Sequence, residues 1–514
     1  MIFSSLQYLL FLPVVVFLYW RLSGLSRLIL VVVASYFFYM SWLPVYGVLL
    51  FVLSTANWLL ALAMDSVKQR SQNIGSRTFE KLLLAFGLLL NLGSLCYYKY
   101  ANFFLSNLAY SLKLTKSVSP NIFSWVPNWD APILDVILPL GISFFVFEFV
   151  HYLVDIYRGD KPIKSWLEFT AFAAFFPSQI AGPIKRYQDF LTKLRVPNAW
   201  SSSLFNEGMS LMMQGFFKKV AIADPIGSVV YLGFSTSHVL SFPDALIASI
   251  GFVIQVYCDF SGYTDIGRGS ALLLGIRLPE NFQLPYLAHD LGDFWRRWHM
   301  SLSYWLRDYV YIPLGGSRVN WLLNWRNLFI TMVACGLWHG ADWHYVIFGC
   351  MQGIGLIINR EWRNLLEAVK PLSVVCNTFV GKQLGTLLTM SYITLSYIVF
   401  RAPNMQQGFF VLDGLLNFQD MATALLMPVQ KSGCLYFLLA YLAYWRIMEL
   451  LKRNPQLINA AWALGLAGRP ENSLEGTKGL YFPAAIRCAA WTAAVVLMIT
   501  AKPVVPVPFV YFQF

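Results

Sequence analysis

Two imidazoles and a run of guanidiniums carry the chemistry open to this chain. His339 stands in Gly336-Leu337-Trp338-His339-Gly340, with almost no charge before it or after it. An ionised group at the bilayer centre costs about 2.5–3.5 kcal/mol, so an imidazole in such a run is neutral unless water reaches it. A neutral imidazole is a base. With a reference pKa near about 6.5, it can take a proton from a hydroxyl and return it to a leaving group. The competing reading of His339 is a hydrogen-bonded core histidine.

The second imidazole, His299, lies in FWRRWHMSLSYWLRDYVYIPLGGSR, residues 294–318. Residues 291–311 have helical periodicity, which predicts one amphipathic helix. One face carries Trp295, Trp298, His299, Leu302, Trp305, Leu306 and Tyr309; the other carries Arg297, Ser301, Tyr304 and Asp308. Its tryptophans suit the depth of lipid headgroups, and Asp293 with Arg297 can pair at i,i+4. Pro313 then stops the helix, and Gly315-Gly316 gives a turn whose free amides, with Arg307 and Arg318, could hold a phosphate. The alternative is a snorkelling surface helix with no ligand.

A further polar cluster is YCDFSGYTDIGR, residues 257–268, where Asp265 and Arg268 are spaced for an i,i+3 pair beside Asp259, Ser261 and Tyr263. It reads as a functional cluster or as a strut that seals a helix bundle. Cys335 and His339 fall i,i+4 on one helix, with His344 following, but no acidic or second cysteine partner stands at ligand spacing, so no metal site is expected.

These groups need a scaffold, and composition names it. Of 514 residues 57% are hydrophobic, 17% aromatic and 12% charged, with a mean hydropathy of +0.56, where a soluble domain carries about 25% charged residues. The expected fold is an all-α polytopic membrane protein. Apolar windows fall at 7–20, 28–43, 45–64, 82–98, 133–154, 169–184, 209–222, 245–256, 328–337, 345–358, 384–400, 433–445 and 484–499. At roughly 20 residues per crossing they predict about eleven spans, with two or more windows re-entrant. Short windows hint at irregular backbone lining an internal funnel. A removable signal peptide is not expected, since residues 1–5 lack a basic region. The seven cysteines are scattered among apolar residues and read as small hydrophobes. A net charge of +12 is spread in short clusters between spans, which fits membrane lipid and small anions and excludes nucleic acid. Such clusters mark the cytoplasmic side. The polar stretches are too short to separate independent cores, so residues 1–514 are expected to form one integral domain.

Six stretches in order resemble the membrane-bound O-acyltransferase (MBOAT) family, in its bacterial alginate O-acetyltransferase branch: LPLGISFFVFEFVHYLVDIYRG (138–159), FFPSQIAGPIKRY (175–187), GFFKKVAIAD (215–224), DFSGYTDIGRG (259–269), the 294–318 stretch and GLWHG. The last two together are highly specific. The resemblance implies a ring of helices around a central funnel, with His339 as general base and His299 nearer the cytoplasmic mouth, assisting donor or acceptor positioning. It implies acetyl-CoA as donor, no metal, an exported alginate-like polysaccharide as destination, a bacterial inner-membrane location, and an extracytoplasmic acetyltransferase partner of the SGNH type. Arg296, Arg297, Arg307 and Arg318 are candidates for the CoA phosphates on charge alone. Met300 and Ser178 depart from the family pattern, and the chain runs on past the usual core from Phe400.

Residues 503–514 form an extended aromatic tail: Pro503, Pro506 and Pro508 lead into FVYFQF. The tail resembles the aromatic C-terminal motif of the small partner peptide of teichoic acid D-alanylation. That likeness implies that Tyr511 receives the acetyl group as a covalent relay; the alternative is a membrane anchor. Two other function classes fit the polar residues, a proton-coupled transporter or channel and an idle docking scaffold, and D-alanyl or other acyl transfer to a cell-wall polymer is the neighbouring chemistry.

Overall fold

A computed structural model describes residues 1–70, 74–111, 134, 136–180, 182–195 and 200–418, with 492 and 495. The windows at 433–445 and 484–499, the 503–514 tail and Tyr511 lie outside the described residues. Most of those described are helical, and no strand occurs among them. The protein is an all-α polytopic membrane protein. Four helices among the described residues, Pro44–Gln69, Arg77–Ala109, Phe242–Leu273 and Phe379–Arg401, are long and apolar enough to cross a bilayer, and Leu6–Arg21 and Gly24–Met40 are shorter apolar helices.

The described chain forms two compact units. The first, Met1–Gly208 with Ser270–Pro279, holds α1 (Leu6–Arg21), α2 (Gly24–Met40), α3 (Pro44–Arg70), α4 (Ile74–Leu95), α5 (Ala101–Ser111), α6 (Ile142–Arg158), α7 (Trp166–Ala173), α8 (Phe176–Gln179) and α9 (Tyr187–Arg195). The window at 133–154 becomes helical only at Ile142, because Gly141 turns the chain with φ +72° and a Cβ there would lie 2.6 Å from the Gln179 carbonyl. The window at 169–184 is broken between α7 and α8 and again after α8. The described residues between α8 and α9 are not helical, and they run beside α6: Lys185 Nζ donates to both oxygens of Glu148 at 2.8 Å, and Gln188 of α9 reaches Asp155 at 3.3 Å. The ion pair is buried on both sides, so the irregular backbone is covered by protein.

The second unit, Met209–Gly269 with Glu280–Phe514, takes most of α10 (Ser202–Phe216) and α12 (Phe242–Leu273), with α11 (Asp224–Phe234), α13 (Leu291–Arg297), α14 (Met300–Leu306), α15 (Trp321–His339), α16 (Trp343–Ala368), α17 (Lys370–Asn377), α18 (Phe379–Arg401) and α19 (Met405–Gly414). Three windows expected to be short lie inside long helices. The one at 245–256 belongs to the 32-residue α12, because polar Asp259 and Asp265 end the apolar run without ending the helix; each has a lysine against it. Those at 328–337 and 345–358 belong to the 19 residues of α15 and the 26 of α16.

Candidate active site

His339 is the last residue of α15, a helix opened by Asn320, whose side chain accepts from the Leu323 amide at 2.9 Å. The glycines of the GLWHG motif explain how the ring is held. A Cβ on Gly336 would lie 2.3 Å from the Tyr345 carbonyl and 2.8 Å from the Gly349 Cα, so this glycine lets α15 and α16 touch backbone to backbone. A Cβ on Gly340 would fall 2.0 Å from the Tyr345 ring. Between them His339 is 6% exposed, caged by Trp338 at 4.8 Å, Phe400 at 5.0 Å and Phe348 at 6.1 Å between ring centroids.

The amphipathic helix expected over 291–311 is not continuous. It breaks at Trp298-His299, with His299 in the left-handed region at φ 42°, ψ 54°. The break is set by a segment earlier in the chain: the Gln283 amide donates to the Arg297 carbonyl, the Met300 amide to the Asn281 carbonyl at 3.0 Å, and the Ser301 amide to Asn281 Oδ1 at 3.2 Å. Asn281 thereby does for α14 what an N-cap side chain does elsewhere. A bulky residue with positive φ stores backbone strain. His299 is fully buried between Phe260 at 4.7 Å and Trp338 at 5.7 Å, and among the described residues neither ring nitrogen has a hydrogen-bond partner. One indole, Trp338, therefore touches both histidines.

The tryptophans of this stretch do not sit at an interface. Trp295, Trp298 and Trp305 are all buried, and Trp295 Nε1 donates to Gln352, which donates on to Ser396 at 2.8 Å. The expected phosphate turn is also corrected: the Gly315 amide donates to the Ile312 carbonyl and the Gly316 amide to that of Tyr311, both at 2.9 Å, so neither is free. The Gly316 carbonyl in turn accepts from Asn324 and Asn327.

The four candidate arginines stay near solvent. Arg296 and Arg297 share Asp293, at 3.4 and 2.9 Å, the second as the expected i,i+4 pair. Arg307 holds Asp308 at 2.7 Å, a hydrogen bond that raises the guanidinium above its ordinary pKa, and Arg318 is exposed. Asp265 and Arg268 form the expected i,i+3 pair at 3.6 Å. Two lysines that had no expected role complete that cluster: Lys218 meets Asp265 at 2.6 Å, and buried Lys219 meets both Asp224 at 2.7 Å and Asp259 at 2.8 Å. Their signal was the close approach of Gly215 and Gly262, where either Cβ would meet the other's carbonyl within 2.8 Å. Cys335 and His339 do share α15, and among the described residues no three His, Cys, Asp or Glu side chains gather as a metal site would need.

Comparison with known proteins fits this arrangement. The pattern that defines MBOAT, the membrane-bound O-acyltransferase family, matches residues 8–399. The chain is 34% identical over the full length of both proteins to the probable alginate O-acetylase AlgI of Azotobacter vinelandii. It is 32% identical to the peptidoglycan O-acetyltransferase of Helicobacter pylori, over 76% of this chain and 74% of that one. A teichoic acid D-alanyltransferase of Streptococcus thermophilus is 30% identical over 51% of this chain and 68% of its own. An imidazole caged at a helix end, in a chain matched along most of its length, leads to one assignment: the protein belongs to the membrane-bound O-acyltransferase family and is an O-acyltransferase.

Proposed function

We propose that the enzyme moves an acetyl group from acetyl-CoA on the cytoplasmic side of the bacterial inner membrane to a hydroxyl acceptor on the far side, for O-acetylation of an exported, alginate-like polysaccharide. The observation that carries the reading is the His339 ring, held in an aromatic cage at the end of α15 and joined to His299 through the Trp338 indole. The relatives' names supply the acyl group and the polymer class.

In the transfer, His339 takes the proton of the acceptor hydroxyl as its oxygen attacks the thioester carbonyl. The tetrahedral adduct then expels the CoA thiolate, and the imidazolium returns the proton to sulfur. General base catalysis of this kind contributes about 10²–10⁴-fold. His299, with no base in contact, is a positioning residue. The C-terminal Tyr511 is the candidate intermediate acceptor, from which an extracytoplasmic acetyltransferase of the SGNH type would carry the group to the polymer; a covalent stop divides one hard transfer into two.

Charge distribution supports the sidedness. The far end of α16 carries Arg360 and Arg363, followed by Lys370 and, on α18, Lys382, while Arg318 and Arg326 flank the start of α15. Basic span ends face the cytoplasm. The Gly292 amide of α13 donates to Asn359, and Asn359 lies 16 residues along α16 from Trp343, about 24 Å at 1.5 Å per residue. Arg296 and Arg297 thus belong to the cytoplasmic end with Arg307 and Arg318, where CoA phosphates would arrive, and His339 to the opposite half. The deciding experiment is transfer of labelled acetyl from acetyl-CoA by the purified protein, expected to be lost in His339→Ala. Retained transfer in that variant overturns the reading.

A further inference from the structure

One wall of the His339 cage is held in place from behind. Phe400 of α18 and Phe348 of α16 touch the imidazole at 5.0 and 6.1 Å between ring centroids, and they touch each other at 5.0 Å. Both are buried. Further rings back them: Tyr345 meets Phe400 at 5.2 Å, Tyr397 meets Phe348 and Phe400 at 6.1 Å each, and Phe252 meets Phe400 at 6.3 Å. Aromatic centroids at about 4.5–7 Å belong to rings in contact, so this side of the imidazole is filled with side chains.

Two features keep the wall at that distance. Gln352 follows Phe348 by one helical turn and Ser396 precedes Phe400 by one, so each polar residue shares a helix face with its ring. Gln352 Nε2 donates to Ser396 Oγ at 2.8 Å, and that hydroxyl donates to the Ile393 carbonyl at 2.8 Å. Gln352 and Ser396 are wholly buried, so parting α16 from α18 would leave buried polar groups without partners. On the other flank Gly349, next to Phe348, lies so close to α15 that a Cβ there would fall 2.6 Å from the Met332 carbonyl. The backbone that carries Phe348 is thus fixed on both sides.

Resting on the function proposed above, we infer that Phe400 and Phe348 determine specificity for the acyl group by limiting it to two carbons. The CoA arm belongs on the side of His299 and Trp338, so the acyl tail, at the other end of the thioester, falls to the phenylalanine wall. A longer chain has to push that wall back, and the bond between Gln352 and Ser396 resists it. Forcing extra methylenes into a packed apolar site strains every ring behind it.

The test is transfer of labelled acyl groups from acetyl-, propionyl- and butyryl-CoA by the purified full-length protein in nanodiscs, compared as kcat/KM. One methylene in an apolar site changes that constant by about 10–200-fold. Wild type is therefore expected to favour acetyl over propionyl at least about tenfold, and over butyryl by roughly a hundredfold. Phe400→Ala is expected to transfer acetyl more slowly, since it loosens the imidazole, yet to lower the acetyl to butyryl ratio at least about tenfold, because the space left by a deleted side chain takes apolar guests. General damage to the fold would lower all three rates together and leave the ratio where it was. Should Phe400→Ala fail to purify, Phe400→Leu and Phe348→Leu decide, a lowered ratio supporting the wall and an unchanged one overturning it. Equal use of acetyl and butyryl by wild type, or a ratio that survives in the variants, overturns the acyl limit and leaves the proposed function standing. A wild-type protein that takes none of the three thioesters overturns the proposed donor, and this inference with it.

Discussion

His299 and Trp338 meet edge to face with ring centroids 5.7 Å apart, and Trp338 is also the covalent neighbour of His339, whose ring it touches at 4.8 Å. The indole is the only described ring in contact with both imidazoles, so it sets their spacing. Trp338→Ala should open a cavity costing about 3–5 kcal/mol and reduce acetyl transfer by roughly a hundredfold as His339 loses its fixed position. Trp338→Phe, which keeps an aromatic wall, should lose far less. Steady-state transfer from labelled acetyl-CoA, measured beside the thermal midpoint, checks both. A Trp338→Ala protein with the wild-type kcat would show that the wedge does not matter.

The contact between α15 and α16 gives a second prediction, this time on stability. At Gly336 and Gly349 an added Cβ would strike backbone: 2.3 Å from the Tyr345 carbonyl in one case and 2.6 Å from that of Met332 in the other. Backbone cannot step aside as a side chain can, so Gly336→Ala and Gly349→Ala should each lower stability by about 1–3 kcal/mol or more. Gly93 is the control, because its Cβ would meet nothing within 4 Å; Gly93→Ala should be neutral or slightly stabilising through helix propensity. Thermal midpoints of the three variants, ranked the other way, would contradict the packing argument.

What was legible in the sequence follows from the range of the interaction. Asp265 with Arg268, Asp293 with Arg297, and the common helix of Cys335 and His339 all depend on spacing along one helix, and each is found at that spacing. That some short windows would be interrupted was legible from length alone, but not which ones; the break after Ala173 in the window at 169–184 is one of them. The break at His299 was not legible. Periodicity continued through it, and the groups that hold the corner belong to Asn281, in a segment without helical pattern. Lys218 and Lys219 were equally silent, since their carboxylates lie on α12 and only the crossing of Gly215 with Gly262 brings them near. The amides of the Gly315-Gly316 turn looked available because sequence does not reveal that the turn closes on Ile312 and Tyr311.

The backbone strain at His299 separates its structural cost from its use. Left-handed geometry costs a non-glycine residue roughly 1–2 kcal/mol, and asparagine tolerates it best. His299→Asn relieves that strain while giving up the ring contacts to Phe260 and Trp338. The two effects oppose each other, so the thermal midpoint should move by only a few degrees, about the shift of a 1 kcal/mol change in a chain of this size. Acetyl transfer should nevertheless fall by roughly ten- to a hundredfold, from lost alignment. Full activity in a folded His299→Asn protein would remove the positioning role.

Lys219 neutralises two carboxylates at once, Asp224 at 2.7 Å and Asp259 at 2.8 Å, the second of them wholly buried. Removing the ammonium takes its countercharge from both carboxylates, so Lys219→Met should destabilise the protein by about 3–5 kcal/mol. The loss arises from the upset charge balance and not from the absent side chain. A triple variant, Lys219→Met with Asp224→Asn and Asp259→Asn, should recover most of the lost thermal midpoint, since neutral groups of similar shape replace the ion cluster. Activity should return with it: Phe260 follows Asp259 in α12 and packs on His299 at 4.7 Å, so whatever steadies Asp259 steadies that wall of the histidine's pocket. If the triple variant is as unstable as Lys219→Met alone, the lysine acts through packing, and the charge balance has no part in holding α12.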